Sequence, residues 1–105
     1  MRTPWGEAQT IEKIIPGLVL VSTASHGGVR VGASLTKYIP EIFRTGDNWY
    51  EEDCEIEIPM YFLKAKIAEV RPEWVERNEI KLSNCEDAIK YWFKDQWEKY
   101  KGDQQ

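Results

Sequence analysis

Between Gln9 and Ala33 the chain reads QTIEKIIPGLVLVSTASHGGVRVGA, a series of β-branched and leucine runs cut by Pro16-Gly17 and again by Gly27-Gly28. Runs of that composition favour strands, and Pro-Gly or Gly-Gly between them favours chain reversal, so the stretch is constrained to a small antiparallel sheet of about three strands. The first strand falls near Thr10 to Ile15, although Glu12-Lys13 interrupts its pattern and leaves a helical turn open. The second, Leu18 to Ser22, is almost continuously apolar, as a central strand buried on both faces would be. In the third, Val29 and Val31 alternate with Arg30, which places the arginine outward.

Beyond Ala33 the pattern turns helical. SLTKYIPEIFRTG spaces Leu35, Tyr38, Ile39, Ile42 and Phe43 as a short helix or two turns, limited by Pro40. Asn48 and Glu51 have capping-box spacing and predict a helix start there, with a bend or restart near Ile58 because Pro59 has no amide to bond back to Glu55. RPEWVERNEI reads as a loop with a helical turn that carries Trp74 as a lid on the core. Ser83 and Glu86 repeat the capping-box spacing ahead of a C-terminal helix whose apolar face is Ala88, Ile89, Trp92, Phe93, Trp97 and Tyr100. The expected fold is α+β, with about three helices packed on one face of the sheet in a single domain over residues 1–105.

Composition removes several classes of function. Apolar residues make up 42% of the chain and charged ones 30%, too apolar for a disordered segment. A net charge of −4 with dispersed lysines and arginines argues against nucleic-acid binding, which needs a concentrated basic surface. Acidic mimicry of nucleic acid is also poorly served, because 14 basic residues dilute 18 acidic ones. The opening residues have no apolar run of signal-peptide type and no stretch approaches a bilayer span, so the expectation is a soluble, cytoplasmic protein with no membrane contact. Cys54 and Cys85 lack CxxC spacing and read as free thiols.

Two segments hold the chemistry-bearing residues. Ser25, His26, Gly27 and Gly28, followed by Arg30, contain the one histidine. On a structural reading the glycines make a tight connection between strands; on a functional one the amides around Ser25 to Gly28 form an anion-binding concavity with His26 as acid, base or ligand. The second segment, WYEEDCE, sets Trp49 and Tyr50 before Glu51, Glu52, Asp53 and Cys54. Its carboxylates suit the positive end of a helix, and Cys54, one turn after Tyr50, reads by default as a core thiol. Joined in space, the segments would offer His26 and Cys54 as base and nucleophile, with Asp53 or Glu52 orienting the imidazole. His26 with Glu51, Glu52 or Asp53 is a conceivable metal set, but the spacing matches no recognised ligand pattern, so neither metal nor cofactor is assigned.

The pieces TPWG, STASHGG and WYEEDCE, lying between Thr3 and Pro59, resemble the hallmarks of a bacterial, phage and plasmid-borne domain family of unknown function. The resemblance implies a mobile-element setting and no particular reaction. The sequence therefore points first to a non-enzymatic accessory protein that binds another protein, using the His26 loop and the acidic segment: Ser25, His26, Gly27, Gly28, Arg30, Trp49, Tyr50 and Glu51. The alternative is a small hydrolase or metal-dependent enzyme built on His26, Cys54, Asp53 and Glu52. Exposed rings on the C-terminal helix would mark a homodimer or a host-protein contact.

Overall fold

The computed structural model describes residues 1–104. Its elements confirm the α+β class, with two antiparallel sheets and seven α-helices among the described residues. The larger sheet runs in the order β3 (Thr10–Ile15), β4 (Leu18–Ser22), β5 (Gly27–Val31), β6 (Trp49–Glu51), each strand antiparallel to the next. Pro16 and Gly17 turn the chain between β3 and β4 as expected, Gly17 supplying the positive φ of +91° that other residues resist. Ahead of them, β1 (Arg2–Thr3) and β2 (Gly6–Glu7) form a hairpin that the sequence did not announce.

Gly27 and Gly28 correct the first expectation: they lie inside β5, paired with Ser22 and Val21, and not in the connection. The connection is Thr23 to His26. The Thr23 amide donates to the His26 carbonyl at 2.7 Å, and the His26 amide donates to the Thr23 hydroxyl at 3.1 Å. A threonine hydroxyl thus closes the turn, a role short polar side chains fill readily.

The Asn48–Glu51 capping box is the second correction. Asn48 takes a left-handed φ of 65°, the Asp47 side chain accepts the Trp49 amide at 3.0 Å, and the chain enters β6 instead of a helix. Asparagine tolerates that conformation better than most residues, and β5 offers an open edge on which Trp49, Tyr50 and Glu51 can pair. The sheet therefore gains a fourth strand. Helix α2 (Glu57–Phe62) begins after it and carries Pro59 in its first turn, where a missing amide costs nothing, so no kink is needed.

Short helices succeed one another: α3 (Lys64–Val70), α4 (Pro72–Arg77), α5 (Glu79–Ser83), α6 (Cys85–Trp92) and α7 (Lys94–Asp103). Before β6, SLTKYIPEIFRTG forms α1 (Ala33–Thr36) and a 3-10 turn, Glu41–Phe43, that starts after Pro40. The segment expected as a loop is helical in α4 and α5, and Trp74 is buried in the core. Ser83 does not cap α6; its hydroxyl donates back to the Ile80 carbonyl at 2.7 Å. The C-terminal helix is broken at Phe93 (φ −128°, ψ 45°), which rotates the apolar face between α6 and α7. Ile89 and Trp97 stay buried, whereas Trp92 is 59% exposed and packs edge-on against exposed Tyr91.

One cluster of buried residues joins the inner face of the sheet to the helices, and Ile39, Tyr50, Leu63, Ile67 and Ile89 have no exposed surface. Burying a side chain of that size contributes about 1.5–3 kcal/mol. Arg71, between α3 and α4, ties the helices to the sheet edge by donating from Nη1 to the Ile14 carbonyl at 3.0 Å. No helix among the described residues is long and apolar enough to cross a membrane.

Candidate functional site

Strand alternation divides β5 and β6 between core and surface. Val29 pairs with Tyr50, and both point inward with no exposed surface. Gly28 pairs with Glu51 and Arg30 with Trp49, and these four belong to the outer face. Tyr50, expected on the binding surface, is therefore core, because the period of two sends it opposite to its neighbours Trp49 and Glu51.

The outer face is roofed by the opening hairpin. The Thr3 hydroxyl donates to the Gly6 carbonyl at 2.7 Å and accepts the Trp5 amide at 3.2 Å, while Gly6 takes a φ of +118°. This turn lays Trp5 over Gly28. A Cβ on Gly28 would meet the Tyr50 carbonyl oxygen and come within 2.5 Å of the Trp5 ring, so only hydrogen fits there. Trp5 also meets Trp49 edge to face, with ring centroids 5.6 Å apart. Such an aromatic pair contributes about 0.5–1.5 kcal/mol beyond its buried area. Val21, paired with Gly28, is 2% exposed yet lies outside the inner cluster, so this face has a small packed layer of its own.

At the end of β5 the two chemistry-bearing segments meet. The Glu52 amide donates to the Gly27 carbonyl at 2.9 Å, which extends the β5–β6 pairing to the His26 turn. His26 Nδ1 stands 3.4 Å from Glu51 Oε1, both side chains partly exposed. Asp53 completes a group of three whose ligand atoms all lie within 4.8 Å of one another. Glu52 passes beside Gly27, where an added Cβ would come within 2.8 Å of its carboxylate. No lysine or arginine among the described residues forms an ion pair with Glu51, Glu52, Asp53 or Glu55.

Cys54 is outside that group. It is half-buried in a turn instead of a helix, and no hydrogen bond joins it to His26 among the described residues. Its thiol is pushed up by partial burial and then by the negative charge of Glu55, Glu51 and Asp53, the reverse of what activates a nucleophilic cysteine. Cys85 is buried, and burial with its Glu57 neighbour pushes its thiol up to about 12.

A cleft of about 660 Å³ opens between the inner sheet face and helices α2, α4, α5 and α6. Ile14, Leu20, Val29, Met60 and Trp74 contribute to its apolar wall, and Asp53 stands on its lining as well as in the His26 group. That volume falls within the range of small-molecule sites. Its lining comes from every quarter of the chain, so no local pattern in the sequence marks it. Trp5 is likewise a site residue that sequence reasoning misses; TPWG is a turn signal, but what its tryptophan covers depends on a strand more than 20 residues away.

The architecture is that of a small α+β domain whose sheet edge presents an imidazole, carboxylates and a pair of indoles. The chain belongs to a family described as a domain of unknown function, DUF7007, whose sequence profile it matches over residues 1–105. The match includes the helices beyond Pro59. No curated protein and no solved structure matches the chain.

Proposed function

We propose that the domain is a non-enzymatic accessory protein of a phage or other mobile element, and that it docks another protein on the outer β5–β6 edge. The observation carrying this reading is the convergence of TPWG, STASHGG and WYEEDCE on one partly exposed surface, through Trp5 over Gly28 and His26 beside Glu51. Tryptophans at a surface edge are typical anchors of protein interfaces, and uncompensated carboxylates around them favour a partner with a basic patch. In-cell crosslinking of the tagged domain, compared with Trp49→Ala and Glu51→Lys, tests it. A stoichiometric partner lost in both variants and retained in a Tyr91→Ala control is expected; a partner retained by both edge variants would overturn the docking site.

A small hydrolase is the second reading, favoured by the approach of His26 to Glu51 and Asp53. General acid–base work by His26 would use that geometry, without Cys54 as nucleophile. Turnover of simple ester or phosphoester substrates that disappears in His26→Ala would place this reading above docking.

A further inference from the structure

We infer that His26, Glu51 and Asp53 form a binding site for a single divalent transition-metal cation of the zinc or manganese type, an inference that goes beyond docking and does not depend on it. The three side chains come from the β4–β5 turn, strand β6 and the turn after it, so only the fold assembles them. Around an ion with bonds of about 2.0–2.2 Å, neighbouring tetrahedral ligand atoms lie about 3.3–3.6 Å apart. The His26 Nδ1 to Glu51 Oε1 separation of 3.4 Å already has that value. Asp53, exposed and within 4.8 Å of both, reaches the same ion by a rotation of its side chain.

Charge supports the same conclusion. Glu51, Glu52, Asp53 and Glu55 fall within five residues, and no lysine or arginine among the described residues bridges to any of them. Neighbouring carboxylates with no lysine or arginine partner favour a dication, which neutralises both and takes the imidazole lone pair. Imidazole with carboxylates suits Zn²⁺, Fe²⁺ or Mn²⁺ better than Mg²⁺ or Ca²⁺, which prefer all-oxygen sets. Three protein ligands leave at least one coordination position open.

The competing explanation is a plain surface ion pair between His26 and Glu51, which requires no metal. Calorimetric titration of the chelator-dialysed 105-residue chain with ZnCl₂, MnCl₂ and MgCl₂ separates the two. The expected result is one saturable Zn²⁺ or Mn²⁺ site per chain, at least tenfold tighter than Mg²⁺. That site weakens at least tenfold in His26→Ala, Glu51→Gln and Asp53→Asn, each checked for native circular dichroism, and stays unchanged in Cys54→Ser. Wild-type protein alone gives a second readout, since the single histidine makes its ring signals unambiguous in proton NMR. Substoichiometric Mn²⁺ should broaden them selectively. Absence of saturable binding below about 1 mM metal, equal binding of Mg²⁺, or binding unaltered by His26→Ala would each overturn the site. Partner docking that persists in metal-free protein would leave the proposed function standing while the metal site stood or fell on the titration.

Discussion

The two faces of the four-stranded sheet are made by the same strands and could hardly differ more. On the inner face, Val29 and Tyr50 enter a continuous core with Ile39, Leu63, Ile67 and Ile89. On the outer face, the alternate residues Gly28, Arg30, Trp49 and Glu51 lie by the Trp5 roof and the His26 turn, outside that core. Buried apolar volume is concentrated on the first and partly exposed polar and aromatic side chains on the second. The division teaches that one pair of strands supplies both at no cost in length, because a period of two separates them residue by residue.

If that division is right, damage to the inner face should be the most severe. Ile89→Ala or Leu63→Ala is expected to cost about 2–5 kcal/mol in urea unfolding, since each deletes fully buried volume. A loss below about 1 kcal/mol would mean that the inner cluster is loosely packed. Gly28→Ala acts on the outer face by crowding: its Cβ has no room between Trp5 and the Tyr50 carbonyl, and about 1–3 kcal/mol should be lost as the roof lifts. Tryptophan fluorescence should shift to the red in that variant. An unshifted spectrum with native stability would contradict the close approach.

The cysteines sharpen the contrast through pH. Cys85 has a folded pKa raised by burial, so the neutral thiol is the folded form; its contribution is complete below the unfolded value near 9 and is lost as pH rises toward about 12. Denaturant stability should therefore fall in that window, and less so in Cys85→Ala than in wild type. In native protein at neutral pH, a thiol reagent should leave Cys85 unmodified and react slowly with half-buried Cys54. Smallest of all, His26→Ala should change stability by less than about 1 kcal/mol, because its contact with Glu51 is a partly exposed pair. A larger loss would move the turn from the site to the scaffold.

Much of this was legible in the chain. Pro16-Gly17, the β-branched runs and the outward Arg30 fixed three strands, because short-range turn chemistry and a period of two act locally. The failures have a common cause. Asn48 and Glu51 carry capping-box spacing, yet the free edge of β5 claims Trp49, Tyr50 and Glu51, and long-range pairing overrides local propensity. Gly27 and Gly28 looked like a reversal because glycine usually signals one; here Gly28 is small so that an indole and a carbonyl can approach. Of the site, His26 and the acidic run were identifiable as residue types, but their meeting is a property of the sheet.

The approach of the opening hairpin to the outer sheet face, on which the candidate site is built, is what a two-dimensional NOE spectrum of the native protein tests most directly. Contact of Trp5 with Gly28 predicts strong cross-peaks from the Trp5 indole ring to the Gly28 α protons, with those protons moved from ordinary glycine shifts by the ring current. Gly28 α protons at ordinary shifts, with cross-peaks to no indole, would contradict the account.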